Sequence, residues 1–201
     1  MHIINCGAGN IGSLVNMLKF LNIEAKVTDD WRELTEASRI ILPGVGAFDS
    51  AMSYLESRDG LIDTFKNKAL DECIPILGVC LGMQLLLDYS EEGTSPGLGI
   101  INGFCEKFSF QDKSINIPHM GWNHVEVAKP SAILDDFDKM RFYFVHSYHC
   151  KVNRSEDILL TTQYGENFVS GISNGNVHGV QFHPEKSHKY GMKLLNNFMK
   201  L

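Results

Sequence analysis

No run of apolar residues in the 201-residue sequence reaches the ~20 that a membrane-crossing helix needs; the longest nearly apolar stretch, Ile74 to Leu87, is shorter and is interrupted by Gln84. Clusters of Lys and Arg are also missing, and 18 basic residues stand against 24 acidic ones, for a net charge of −6. A nucleic-acid backbone or an anionic membrane as main partner is disfavoured, because both require concentrated positive charge. The opening residues, Met1-His2-Ile3-Ile4-Asn5, lack a cationic segment followed by an apolar one, so no secretory leader is expected and the protein is expected to be cytoplasmic. Five cysteines (Cys6, Cys73, Cys80, Cys105, Cys150) are an odd number with no Cys-x-x-Cys spacing, which in a reducing compartment means free thiols.

What remains is ordinary globular composition, 44% hydrophobic and 21% charged. A chain of this length can bury roughly 70% of its unfolded surface without metal or disulfide staples. With no internal repeat, low-complexity segment or linker, one domain over residues 1–201 is expected.

The first half alternates between two patterns. Short β-branched runs at 2–6, 38–42 and 74–79 lead into glycines, and helical spacings of three and four follow, as in Ile11, Leu14, Val15, Leu18 and Leu21, or Phe48, Met52 and Leu55. That alternation predicts an α/β fold: an open, mostly parallel twisted sheet flanked by helices, with binding residues at the carboxyl ends of the strands. The second half offers strands near 104–108, 123–127, 142–145, 158–163, 168–173 and 177–182, some joined by turns such as Ser173-Asn174-Gly175-Asn176, so some antiparallel pairing is expected there. An amphipathic helix over about 188–200 closes the domain. The charged stretches Asp88–Ser95 and Asp135–Arg141 are expected to be mobile insertions.

The stretch Gly78-Val79-Cys80-Leu81-Gly82 carries the chemistry. It sits between a strand and a helix, as the thiol counterpart of a Gly-x-Ser-x-Gly nucleophile elbow, where small flanking residues leave room for a strained turn. Cys80 is the expected nucleophile, with its thiolate favoured by the helix N-terminus and the Leu81 amide placed to donate to an oxyanion. Eight histidines compete to be its base. His183 stands out in Gln181-Phe182-His183-Pro184-Glu185, at a strand end with a carboxylate two residues on; Cys80, His183 and Glu185 would form a thiol triad. Two other readings compete: zinc held by His146, His149, His183 and a cysteine, although the spacings match no metal motif, and a redox-sensing thiol on a non-catalytic scaffold.

Together, Gly78-Val79-Cys80-Leu81-Gly82-Met83-Gln84 and Gln181-Phe182-His183-Pro184-Glu185 resemble the class I (triad) glutamine amidotransferases. A narrower likeness, to glutaminase subunits that feed a (βα)8-barrel cyclase making imidazole glycerol phosphate in histidine biosynthesis, is carried by four more segments: Gly7-Ala8-Gly9-Asn10, Pro43 to Phe48, Pro118 to Asn123 and Tyr143 to Tyr148. The likeness implies a flavodoxin-like fold, hydrolysis of glutamine through a Cys80 thioester, and ammonia passed to the cyclase within a heterodimer, with no cofactor and no metal. It implies that the Val45 amide joins Leu81 in the oxyanion hole, between Gly44 and Gly46, and that Gln84, Ser147 and Tyr148 hold the amino-acid end of glutamine. Met120, Trp122, Tyr143 and Lys186 would line the subunit interface or gate the tunnel; Met120 and Trp122 could equally be core, and Lys186 a solvated turn residue.

One departure stands out. The family commonly has Asp-Tyr where this chain has Asn5-Cys6. That leaves open a paralogous subunit feeding a related synthase that aminates another substrate, such as a surface sugar.

Overall fold

Three of the expected strands are apolar and buried almost throughout, as strands covered on both faces must be. The computed structural model describes residues 1–7 and 11–201. In its first half β1 (His2–Ile4), α1 (Ile11–Phe20), β2 (Lys26–Thr28), α2 (Trp31–Leu34), β3 (Ile40–Gly44), α3 (Phe48–Glu56), α4 (Leu61–Leu70), β4 (Ile76–Cys80) and α5 (Leu81–Leu85) follow one another. The second half holds β5 (Tyr89–Ser90), β6 (Gly103–Lys107), β7 (His119–Val127), β8 (Met140–His146), β9 (Tyr148–Val152), β10 (Ile158–Tyr164), β11 (Glu166–Asn174), β12 (Val177–Val180) and α6 (His188–Phe198).

The main sheet runs β2-β1-β3-β4-β12-β11-β10-β7-β8, and β9 branches from β11 to carry β6 and β5. The strands from β2 to β12 are parallel, and from β12 onward the main sheet is antiparallel. Successive residues alternate between its two faces, as the pleat requires. Ile4, Ile40, Leu42 and Ile76 pack with α3 and α4, whereas Ile3, Ile41, Leu77 and Val79 pack with α1 and α6. The turn between β11 and β12 closes with Asn174 opposite Val177 and Gly175 at φ +55°, as Asn-Gly predicts.

Strands β2, β5 and β9 and helices α2 and α4 were not anticipated. The two charged stretches expected to be mobile are instead tied to the body. Asp49 of α3 accepts from the Thr94 and Ser95 amides at 3.0 and 2.9 Å, and Asp88 from Gly103 N at 2.8 Å. At the other stretch, Asn197 of α6 donates to the Asp135 carbonyl at 2.9 Å. In the first stretch the carboxylates of Asp88, Glu91 and Glu92 accept from backbone amides, which composition alone does not reveal. Among the described residues, no helix is long and apolar enough to cross a membrane.

Candidate active site

The parallel strands β3, β4 and β12 end side by side, with Gly44 opposite Cys80 and Val180 opposite Val79, so the chain segments that leave them meet in one place. Cys80 caps α5 in a strained conformation, φ 54° and ψ −111°, that a residue with a side chain rarely adopts. The two glycines permit it: a Cβ on Gly82 would lie 1.7 Å from the Leu42 carbonyl oxygen, and one on Gly78 would lie 2.7 Å from that of Gly82. Helix α5 is only five residues long, so its aligned dipoles are few, and what it offers an anion is chiefly the first-turn amide of Leu81, which has no acceptor within the helix.

After β12 the chain turns at Gln181 and delivers His183, which is tied down by its own N–H to the Tyr143 carbonyl at 2.9 Å. Nδ1 of His183 meets Glu185 Oε1 at 2.7 Å. Nε2 is buried without a hydrogen bond of regular geometry, and the Cys80 sulfur beside it is the group that couples to it. Burial disfavours the imidazolium, but the Cys80 and Glu185 side chains outweigh it and lift the His183 pKa to about 10. A charged histidine beside the sulfur is the partner a thiolate needs.

These groups open into a cleft of about 460 Å3 lined by Val45, Gly46, Cys80, Leu81, Gln84, Ser147, Tyr148, His183 and Lys186. Gly44 and Glu185 sit behind it, around a smaller void. Gly46 has φ +100°, which places the loop after β3 in a conformation closed to most other residues. The side-chain nitrogen of Gln84 donates to Gln181 Oε1 at 3.0 Å and to the Tyr148 carbonyl at 3.3 Å, which settles how a buried glutamine is tolerated in an apolar helix.

The structure adds residues that sequence reading missed. Glu92, on the supposedly mobile stretch, lines the cleft and accepts from the Phe48 amide at 3.0 Å. Burial pushes its pKa up, and the Phe48 N–H partly offsets this. Pro118, Val145 and His146 complete the wall. Gln181 lies fully buried with its side-chain nitrogen 3.7 Å from the Cys80 sulfur. Its position two residues before His183 was the only available signal.

Of the expected interface residues, only Lys186 reaches the cleft. Met120 and Trp122 point outward from β7, 61% and 38% exposed, so they are not core. Trp122 carries Arg141 over its ring at 4.9 Å and lies edge-on to Tyr143 at 6.4 Å, and Lys186 sits 5.7 Å from the Tyr143 ring. Trp122, Tyr143 and Lys186 are therefore neighbours, and Met120 shares the outward face of β7 with Trp122. The zinc reading fails on geometry: His146 gives one ring nitrogen to the Tyr148 carbonyl at 2.7 Å and the other to His119 at 3.0 Å.

At the departure near the N-terminus, Asn5 Oδ1 accepts from Gly7 N at 3.0 Å, and the buried Cys6 thiol donates to the Pro43 carbonyl at 3.2 Å, just before the loop over the cleft. Burial drives the Cys6 pKa up to about 12, so it stays a neutral donor. Ala8, Gly9 and Asn10 of the Gly7-to-Asn10 motif lie outside the described residues.

Comparison with known proteins gives a consistent result. A protein of Methanococcus maripaludis named imidazole glycerol phosphate synthase subunit HisH 2 is 48% identical over 199 residues, covering 98% of each chain. An Arabidopsis thaliana protein named imidazole glycerol phosphate synthase hisHF, chloroplastic, is 44% identical over 200 residues, 98% of this chain and 33% of that longer one. A solved structure titled as a glutamine amidotransferase superposes with a TM-score of 0.76 at 19% identity, covering 99% of this chain and 97% of that one, a likeness of fold. The profile of the family described as glutamine amidotransferase class-I matches residues 2–201. With the elbow, the His183–Glu185 pair and the cleft all in place on that fold, the chain belongs to the class I glutamine amidotransferases.

Proposed function

We propose that this chain is a single-domain, cytoplasmic glutaminase subunit of an imidazole glycerol phosphate synthase, working in histidine biosynthesis. The observation that carries the reading is the strained Cys80 elbow facing a histidine already paired with Glu185 at 2.7 Å, inside a cleft with room for an amino acid. The Cys80 thiolate attacks the side-chain amide carbon of glutamine. Its oxyanion is met by the amides of Leu81 and Val45, and the His183 imidazolium protonates the departing nitrogen, which leaves as ammonia. Water, deprotonated by His183, then hydrolyses the thioester and releases glutamate. Glu185 holds the ring in register and stabilises its positive charge.

The cleft also explains selection of a zwitterion. Glu92 supplies a carboxylate for the α-ammonium. Both side-chain hydrogens of Gln84 are spent on Gln181 and Tyr148, so Gln84 offers substrate only its oxygen, as an acceptor, beside the backbone around Ser147 and Tyr148.

Ammonia released into bulk water would be protonated, so it passes to a (βα)8-barrel cyclase docked over Met120, Trp122, Tyr143 and Lys186 in a heterodimer. Outward aromatics flanked by cations suit such an interface. The longer Arabidopsis protein, named hisHF, of which this chain matches a third, supports a partner that can be fused to such a chain. The names of the relatives favour this pathway over amination of a surface sugar. The test is glutamate release by the purified chain, alone and with an imidazole glycerol phosphate cyclase and its ribonucleotide substrate. Stimulation that vanishes in Cys80→Ala is expected; no stimulation by the cyclase would overturn the pathway.

A further inference from the structure

Gln181 is fully buried, is absent from the triad, and points its side-chain nitrogen at the nucleophile's sulfur from 3.7 Å. The amide of an isolated glutamine could face either way. Here its orientation is forced by a backbone carbonyl, which can only accept.

The Tyr148 carbonyl oxygen is approached by Gln84 at 3.3 Å and by His146 Nδ1 at 2.7 Å, so both must present N–H groups to it. The second hydrogen of the Gln84 amide goes to Gln181 at 3.0 Å, so Gln181 must turn its oxygen there. Its NH2 then faces Cys80. The other arm is equally determined. With Nδ1 protonated, His146 Nε2 accepts from His119 Nδ1–H at 3.0 Å, and His119 Nε2 accepts from Asn123 at 3.2 Å. The Asn123 nitrogen also donates to the Gln163 carbonyl at 3.0 Å, a second acceptor that confirms the direction. Both histidines must be neutral for this chain, and burial holds His119 at about 4 and His146 at about 3.

We infer that Gln181 is a further catalytic residue of this site: its side-chain N–H donates to the Cys80 sulfur and favours the thiolate, held in that orientation by Gln84 and the Tyr148 carbonyl. A donor aimed at the charged form stabilises it relative to the thiol, and in a buried site the preference is not diluted by water. The inference deepens the glutaminase reading and rests on Cys80 as its nucleophile. It also gives strand β7, whose opposite face carries Met120 and Trp122, an unbroken hydrogen-bonded connection to the sulfur.

The experiment is the pH dependence of Cys80 alkylation by iodoacetamide, followed on the Cys80 peptide by mass spectrometry so that exposed Cys73 does not interfere. Gln181→Met keeps the length and removes the donor. Its half-maximal pH is expected to rise by about one unit, with alkylation at neutral pH slowed about tenfold. Gln181→Glu, which sets a carboxylate against the thiolate, should shift further. Gln84→Met, which releases the Gln181 oxygen, provides a second reading should Gln181→Met fail to fold, and a smaller upward shift is expected. A profile superimposable on the unmodified protein in the folded variants overturns the inference. Iodoacetamide requires neither glutamine nor a partner, so failure of glutamine turnover would count against the glutaminase reading alone.

Discussion

Replacing Gly82 with alanine tests whether the nucleophile's position is set by backbone packing. The added methyl would lie 1.7 Å from the Leu42 oxygen and 2.7 Å from its carbonyl carbon. Restoring ordinary contact requires a displacement of roughly 1.5 Å. Leu42 cannot supply it, because β3 is paired on both sides, to β1 and β4. The shift falls on α5, whose first residue follows Cys80 directly. Overpacking of side chains typically costs ~1–3 kcal/mol, and because this clash is with main chain on one side and a helix on the other, about 3 kcal/mol or more is expected. A nucleophile displaced by an ångström loses on the order of 100-fold in turnover. Urea denaturation and glutamate release measure both quantities. Gly175→Ala is the control: nothing lies within 4 Å of its added methyl, though φ is +55°. It should lose only about 1 kcal/mol and no activity. A Gly82→Ala protein within about 0.5 kcal/mol of wild type and fully active would refute the packing argument.

Other consequences are open to measurement. Cys80→Ala keeps the positive φ, whereas Cys80→Gly relaxes it, so the glycine variant should be the more stable of two inactive proteins by about 1 kcal/mol in denaturant titration. Buried neutral His119, His146 and His178 have pKa values depressed to about 4, 3 and 4, so their contribution is intact above pH 6.5 and lost as pH falls toward 4, by up to about 1.4 kcal/mol per pH unit each. His183 has the opposite sign: its pKa is raised to about 10, so its contribution is intact below 6.5 and lost as pH climbs to 10. The histidine part of a stability–pH curve should therefore peak near 6.5, and a curve flat between 4 and 6.5 would contradict the assignment of neutral rings. Trp122→Ala, exposed and outside the cleft lining, should leave the isolated chain's slow basal turnover within about twofold and its stability within about 0.5 kcal/mol while weakening cyclase binding at least tenfold by calorimetry.

How much could be read in advance depended on whether a feature was local. The elbow was legible because its glycines, nucleophile and helix are contiguous, and the His183–Glu185 pair because its members lie two positions apart. Glu92 was not, because it reaches the cleft only when its loop is folded back onto the amides of α3, a contact across 44 residues. Gln181 was in view as part of a motif, but its role depends on Gln84, 97 positions away, and on which way a carbonyl points. Strands β2 and β5 are too short to show a period of two, and β9 follows β8 after the single residue Ser147, with no Gly or Pro between them to mark a second strand. Helix α4 did carry a signal, Leu61, Phe65 and Ala69 at spacings of four, set among enough polar residues to pass as loop.

The proposed mechanism has glutamine hydrolysed through a covalent bond to Cys80. It is tested most directly by treating the protein, with and without the cyclase, with a glutamine-analogue electrophile and locating the adduct by mass spectrometry. A single adduct on Cys80, suppressed by excess glutamine and absent from Cys80→Ala, is the predicted result. Modification confined to the exposed Cys73, or no modification even with the cyclase bound, would contradict it.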